Sequence, residues 1–337
     1  MCLLVWCFGS GCHLTPPLNT YTRLDAHEGG LDKKLSRDAV RRLASELKPG
    51  DIILGAKNGA MATLLRLSLG QYSYYTHSGV VDIRHGKVVV SHATGRFKLF
   101  QKTPHLLEKM RGSVEHISLE RFLRTYYDIK VYRLPDKKKN RRMVESSLRH
   151  EQEKTPFDCY FDPLDPKAVH CTEYTAQVLK EAGYEHGFDL VSRTHNQSLS
   201  DLLGKLGITT EYFLRIDAFV ELPGTKLVAE FSRYGTRAVS MGTAGGLQVL
   251  HEEVNHDPAL RVGDLISCNM KRMVHFSEPL RLYLLAVTGM AERNPTTDET
   301  EILRRNRLLY DIIVRPHVRR IIDGGALVEV PIGRDSS

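Results

Sequence analysis

The stretch that decides the fold is THSGVVDIRHGKVVVSH, residues 76–92, which predicts a β-hairpin. Apolar β-branched residues fill both halves, and His85-Gly86 between them is typical of a two-residue hairpin turn. With this turn, His92 pairs with Gly79, two residues after His77. Because side chains two residues apart in a strand point to the same face, both histidines lie on one face of the sheet. We therefore predict that two imidazoles lie close together on one face of a sheet.

Two neighbouring histidines suit acid–base chemistry, because one imidazole can take a proton while the second fixes its tautomer and orientation. Taken singly, each of the two histidines is more readily explained as a structural residue. His77 and His92 therefore become candidates only in combination with a further reactive group.

Cys171 is the candidate nucleophile, because it opens a predicted helix downstream of the two histidines. Apolar residues recur at helical spacing from Cys171 up to Gly183, and Pro166 prevents an earlier start of the helix. A thiol reacts as thiolate, and a helix N-terminus or a nearby imidazole lowers its pKa. The alternative is that Cys171 is a small apolar residue of the core, as buried cysteines commonly are.

The remaining hydrophobic pattern predicts alternating helices and strands before the last hundred residues. Helices are predicted over 36–47, 60–69, 118–124 and 142–154, and strands over 51–56, 129–134, 213–220 and 225–231. The basic run 137–142 is interpreted as a solvated loop. Further on, the glycine-containing segment 242–246 precedes a polar region, and helices are predicted over 279–291 and 300–314.

Composition places the chain among ordinary globular proteins and argues against several function classes. Of its 337 residues, 42% are hydrophobic and 26% charged, and the net charge is +7. This excess is mild for the length and no nucleic-acid motif accompanies it, so no nucleic-acid partner is expected. The six cysteines form no CxxC pair, which argues against a structural zinc site. The histidines of HEEVNH, residues 251–256, are spaced wrongly for a zincin motif, so no metal ion and no cofactor is expected.

Residues 1–12 form a short apolar run that ends in small residues and Cys12. The run resembles a bacterial lipoprotein signal, in which Cys12 would carry the lipid and become the first mature residue. No basic residue precedes the run, so soluble export and a cytoplasmic location stay open as alternatives. The polar residues 13–35 would be a tether to an anchor on the periplasmic side of the cell envelope. The sequence predicts no transmembrane helix.

Several blocks of the chain resemble the circularly permuted NlpC/P60 papain-like hydrolases, in particular their YaeF/YiiX-like bacterial branch. These blocks are LKPGDII at 47–53, YTHSGVV at 75–81, Phe157-Asp158 and HCTE at 170–173. The resemblance covers about 45–235 and implies an α+β fold, in which a permuted papain-like antiparallel sheet packs with helices. It divides the chain into a catalytic domain, 36–235, and a helical C-terminal extension of unknown role, 236–337.

The resemblance implies that Cys171 is the nucleophile, His77 the general base and His92 the third residue that orients the base. Several relatives carry glutamate at the third position, which leaves His92 the least secure of the three. The implied function is that of a cysteine amidase or peptidase, which cleaves a cell-wall peptide or similar amide through a thioester. Two alternatives remain: a lipid acyltransferase or esterase with the same triad, and a non-catalytic lipoprotein that binds an envelope component.

Overall fold

The computed structural model describes residues 22–25, 37–57, 59–97, 110–165, 167–184, 190–233, 236–269, 273–321 and 327–329. Its helices are α1 Arg37–Glu46, α2 Ala60–Ser68, α3 Leu119–Thr125, α4 Lys137–Gln152, α5 Cys171–Glu181, α6 Gln197–Leu206, α7 Arg237–His256, α8 Glu278–Arg293 and α9 Glu299–Ile313. Its strands are β1 Thr22–Asp25, β2 Ile52–Ala56, β3 His77–Arg84, β4 Lys87–Phe97, β5 Met110–Ser118, β6 Asp128–Arg133, β7 Leu190–Ser192, β8 Tyr212–Leu214, β9 Lys226–Ser232, β10 Ile266–Asn269, β11 Met273–Phe276, β12 Arg319–Ile321 and β13 Leu327–Glu329.

A seven-stranded sheet organises the chain, with the strand order β1-β9-β6-β2-β3-β4-β5. Neighbouring strands run antiparallel except at one edge, where β1 pairs in parallel with β9. Helices pack against this sheet, which confirms the prediction of an α+β fold built on an antiparallel sheet. The edge strand β1 falls within the segment 13–35 that the sequence analysis assigns to a tether.

The hairpin of β3 and β4 forms with the predicted turn. Arg84 pairs with Lys87 and Val80 with Ser91. His85 has φ 50° and the following glycine φ 73°, as a two-residue hairpin turn with positive φ at both positions requires. The predicted register is therefore confirmed.

The two faces of the sheet bury different helices. Val81 and Val90 pack on one face with α1 and α3, in a core that includes Phe122. Val80 and Ala93 lie on the other face, in a core that includes the α5 residues from Cys171 onward. This division follows from the alternation of side chains along β3 and β4.

A third core joins the C-terminal helices to the rest of the chain. Leu64 of α2 and Leu203 of α6 belong to one buried cluster with Leu250 of α7, Tyr283 of α8 and Tyr310 of α9. The predicted helices 279–291 and 300–314 correspond to α8 and α9. The C-terminal extension thus completes a hydrophobic core that it shares with the preceding elements.

Two local predictions are wrong. The basic run 137–142 forms the first turns of α4, because the Asp136 side chain accepts hydrogen bonds from the N–H groups of Lys138 and Lys139 at 2.8 and 3.1 Å. The predicted strand 213–220 shrinks to β8, which pairs with β7 outside the main sheet, and residues Ala218–Glu221 form a 3₁₀ turn.

The predicted leader 1–12, with Cys12 as its lipidation site, lies outside the described residues. Among the residues that are described, no helix combines the length and the apolar character needed to cross a membrane.

Candidate active site

The two predicted histidines meet on the face of the sheet that α3 covers. Nε2 of His77 lies 2.6 Å from Nδ1 of His92, and the two side chains are only 7% and 4% exposed. The ring of His77 stacks on Tyr126, with 4.8 Å between centroids and 12° between planes. Phe122 contacts both imidazoles. The aromatic rings of α3 and its C-cap therefore fix the plane of the His77 imidazole.

His77 is a neutral imidazole at pH 7. Burial lowers its pKa well below 6.5, and the nearby charges of His92 and Lys57 lower the pKa further. A neutral imidazole carries one N–H donor and one lone pair, which is the form that a general base needs.

Cys171 is the first residue of α5, as the sequence predicts. Its carbonyl oxygen accepts hydrogen bonds from the hydroxyls of Ser78 in β3 and Thr175 in α5, each at 3.0 Å. These two bonds hold the start of the helix against the sheet. The Cys171 side chain is 7% exposed, and its sulfur lies 3.9 Å from the carbonyl oxygen of Thr76 and 4.0 Å from Oγ1 of Thr172.

The thiol and the two imidazoles all lie near the start of β3. α5 binds this strand through Ser78, whereas the preceding residue, His77, points to the face covered by α3. Within the described structure no hydrogen bond joins the sulfur of Cys171 to the ring of His77. The structure thus brings the two histidines together and places the thiol beside the residue that precedes one of them. The catalytic triad stays a prediction.

The Cys171 thiol is protonated in this arrangement. Burial raises its pKa to about 11, although hydrogen bonds with Ser78 and Thr172 partly oppose the shift. The helix N-terminus therefore does not offset the loss of water around the sulfur.

A buried cluster that the sequence analysis missed lies beside the nucleophile candidate. It consists of Asp158, His170 and Glu173, whose nearest nitrogen and oxygen atoms all lie within 4.8 Å of one another. Nδ1 of His170 is 2.8 Å from Oε2 of Glu173. Burial, together with the charge of Glu173, raises the pKa of Asp158 to about 6. The spacing of His170 and Glu173, three residues apart at a helix start, was the available signal.

A cavity of about 280 Å³ opens next to the segment that leads into β3. Tyr74 and Tyr75 line it together with Asp128, Lys130 and Glu230 of β6 and β9. The opposite wall comes from the C-terminal helices, through residues that include Arg237, Gln248 and Leu303. The extension beyond 236 therefore forms part of a cavity close to the candidate residues.

Comparison with known proteins leaves the family unassigned. No family model matches the chain, and neither does any curated protein. Among solved structures, the crystal structure of the metalloprotein YiiX from Escherichia coli O157:H7, DUF1105, is similar over 55% of this chain and 97% of that one. The identity is 17% and the TM-score 0.43. A likeness of this size carries no argument about function.

Proposed function

We propose that the chain is a permuted papain-like cysteine hydrolase that cleaves an amide bond, with Cys171 as nucleophile, His77 as general base and His92 as the orienting residue. One observation carries the proposal. The sulfur of Cys171, at the first residue of α5, lies 3.9 Å from the carbonyl oxygen of Thr76. The next residue, His77, has its ring nitrogen 2.6 Å from His92.

In the proposed mechanism the two ring nitrogens of His77 have different roles. Because Nε2 of His77 is engaged with His92, the lone pair that accepts the thiol proton is on Nδ1. Nε2 of His77 then carries the hydrogen and donates it to Nδ1 of His92. Stacking on Tyr126 keeps the ring from turning away from this bond.

The proton leaves the thiol during the attack and not before it. A thiol with a pKa of about 11 does not protonate an imidazole whose pKa lies well below 6.5. His77 therefore acts as a general base once the thiol and the ring move into hydrogen-bond reach. The sulfur attacks the carbonyl carbon, the amine leaves with the proton from His77, and water hydrolyses the thioester. The backbone N–H of Cys171 donates to the developing oxyanion.

The proposed substrate is a cell-wall peptide or a similar amide of the cell envelope. Lipidation at Cys12 would hold the enzyme on the periplasmic side of the membrane, where such substrates occur. Fractionation of cells that produce the wild-type chain or Cys12→Ser tests this location, because only the wild type is expected in the membrane fraction.

Alkylation by iodoacetamide tests the nucleophile. Cys159 is an internal reference, since it is also a buried cysteine, 8% exposed. We expect Cys171 to react at least about tenfold faster than Cys159, and His77→Asn to remove that advantage without changing the rate at Cys159. Equal rates at the two cysteines in the wild type would overturn the nucleophile assignment.

Product analysis tests the substrate class. Peptidoglycan stem peptides and phospholipid vesicles are incubated separately with the wild type, Cys171→Ala and the control Cys159→Ala. Release of amine from the peptides by the wild type and Cys159→Ala, together with a loss of at least about 10²-fold in Cys171→Ala, supports the proposal. Cleavage of phospholipid esters with the same dependence on Cys171 would replace the amide by a lipid ester. Activity that survives Cys171→Ala would refute the mechanism.

A further inference from the structure

A buried cluster of two carboxylates and one imidazole lies at the start of α5, on residues that the proposed hydrolysis does not use. Asp158 belongs to a segment whose neighbour Phe157 bridges to Val169, and the N–H of Asp158 donates to the Val169 carbonyl at 3.0 Å. This bridge brings Asp158 next to His170 and Glu173, which lie one helical turn apart. The three side chains are only 3%, 4% and 5% exposed.

Backbone hydrogen bonds hold both carboxylates in place. The oxygens of Asp158 accept from the N–H groups of Tyr160 and Asp162, at 2.8 and 2.6 Å. Oε2 of Glu173 accepts from the N–H of His170 at 2.7 Å. Each of these oxygens retains a lone pair for a further ligand.

Two buried atoms of the cluster, Nδ1 of His170 and Oε1 of Glu173, lack a hydrogen-bond partner among the described residues. Oε1 of Glu173 is buried and accepts no hydrogen bond within the described part of the chain. Leaving a buried carboxylate oxygen unpaired is unfavourable, and a cation at this point removes the penalty. Two carboxylates enclosed with a single imidazole also carry an excess of negative charge that a divalent cation would balance.

We propose that Asp158, His170 and Glu173 bind a divalent cation of the zinc class through Nδ1 of the imidazole and one oxygen of each carboxylate. Zinc accepts imidazole nitrogen and carboxylate oxygen at about 2.0–2.2 Å, which spaces tetrahedral ligands roughly 3.4 Å apart. To reach this spacing, the 2.8 Å between Nδ1 of His170 and Oε2 of Glu173 must widen by about 0.6 Å, and the other pairs, at most 4.8 Å apart, must shorten by at most about 1.4 Å. A water molecule completes the fourth position.

The donor set distinguishes zinc from the common hard cations. Mg²⁺ and Ca²⁺ prefer ligand sets made of oxygen alone, with six or more donors for calcium, whereas an imidazole favours zinc and its neighbours in the transition series. The site is independent of the thiol, because the Cys171 sulfur is not part of the cluster. A bound ion would connect Asp158 to the first turn of α5. Cys171 lies in that turn, between His170 and Glu173 in the sequence, so the ion would also fix the position of Cys171.

Calorimetric titration of the full chain with ZnCl₂ after dialysis against a chelator tests the site, with the metal content measured in parallel. We expect one zinc per chain in the wild type and in Cys171→Ala, which separates this proposal from the hydrolase mechanism. Asp158→Asn and Glu173→Gln should each weaken binding at least about tenfold. Asp165→Asn, an acid of the same loop outside the cluster, should bind like the wild type.

Glu173→Gln keeps an oxygen that can accept from the N–H of His170, so this variant is expected to fold, and circular dichroism checks that it does. If zinc does not bind, or if Asp158→Asn and Glu173→Gln bind it as tightly as the wild type, the site is refuted. In that case the 2.8 Å contact between His170 and Glu173 is a purely structural feature of the start of α5. Preferential binding of Ca²⁺ in a parallel titration would overturn the choice of zinc.

Discussion

The β3–β4 hairpin and the C-terminal helices α7 to α9 are built by different means. In the hairpin the period of two along each strand and one turn with positive φ determine the register within a single short stretch. In the helical layer the geometry depends on how closely elements far apart in sequence approach one another. The comparison shows that the side-chain pattern determines the strand register in the hairpin. In the helical layer, glycines, which have no side chain, determine how closely the helices pack.

Three glycines of α7 make this close approach possible. A Cβ atom on Gly242 would lie 2.6 Å from Cβ of Ala291, and one on Gly246 would lie 2.9 Å from Cγ1 of Val287. A Cβ on Gly245 would lie 2.5 Å from Cγ2 of Ile302. Glycine within a helix weakens it by about 0.5–1 kcal/mol relative to alanine. Here it allows α8 and α9 to pack directly against the α7 backbone.

The largest expected effect comes from filling one of these contacts. Gly245→Ala should lower the free energy of unfolding by about 2–3 kcal/mol, because the added methyl overlaps Ile302 and crowds Asn306 at 3.1 Å. Asn306 donates a hydrogen bond to the carbonyl of Gly242, so the displacement also strains that bond. Urea denaturation of the full chain measures the change.

Gly289→Ala is the matched control within the same layer. Gly289 lies in α8, and a Cβ built there meets nothing within 4 Å. The same substitution should therefore stabilise the protein by about 0.5–1 kcal/mol through the helix propensity of alanine. If the two variants change stability by the same amount and with the same sign, close packing does not explain the glycines of α7.

A smaller loss of stability is expected when one buried tyrosine hydroxyl is removed, either beside the sheet at Tyr174 or in the helical layer at Tyr283. The hydroxyl of Tyr174 in α5 donates to Oγ of Ser91 at 2.8 Å and lies 2.6 Å from Oγ of Ser147. Tyr174→Phe leaves both serine hydroxyls without this partner and should cost about 2 kcal/mol. Among the described residues, Tyr283 in α8 donates one hydrogen bond, to the carbonyl of Gly246 at 2.9 Å, so Tyr283→Phe should cost about 1 kcal/mol.

Chemical denaturation of the two phenylalanine variants measures this difference. Both tyrosines are fully buried, so the loss of ring packing does not distinguish them. Equal losses would contradict this prediction. They would mean that the two hydroxyl contacts of Tyr174 contribute no more to stability than the single hydrogen bond of Tyr283.

The elements that the sequence predicts correctly are those determined by local pattern. The hairpin turn and the start of α5 at Cys171 follow from turn chemistry and helix periodicity. The contact between His77 and His92 follows from the period of two along paired strands. These features need no knowledge of distant residues.

The elements that the sequence does not predict depend on partners far away in the chain. In the sequence, the three glycines of α7 indicate an interruption of the helix. Only the close contacts with α8 and α9 explain why they lie within one. The hydrophobic pattern does not predict β5 or its pairing with β4, because the two strands are separated in the sequence by more than a short hairpin turn. Which face α5 covers, and hence which side of β3 the thiol approaches, also depends on tertiary packing. Likewise, the bridge between Phe157 and Val169 decides that Asp158 meets His170.

A further predicted effect of about 1 kcal/mol concerns the stability of the protein in acid. An unfolded histidine has a pKa of about 6.5, whereas burial first, and then the charges of His92 and Lys57, hold the pKa of His77 well below that value in the fold. Between these two pKa values the unfolded chain binds a proton that the folded chain does not. The contribution of His77 is therefore present above pH 6.5 and is lost as the pH falls below it. At pH 5.5 the expected loss from this residue is about 1 kcal/mol.

Urea denaturation of the wild type and His77→Asn at pH 8.0 and pH 5.5 isolates this contribution. At pH 8.0 the imidazole is neutral in both the folded and the unfolded chain, so the difference between the two proteins reports the lost stacking on Tyr126 and the lost contact with His92. On acidification the wild type should lose about 1 kcal/mol more than the variant, because both proteins carry the same other titratable side chains and His92 is the histidine that contacts the substituted ring. An equal loss in the two proteins would mean that His77 binds a proton in the fold as readily as in the unfolded chain. Burial would then not lower its pKa and would not keep the imidazole neutral as the acceptor for the thiol proton of Cys171 on the acid side.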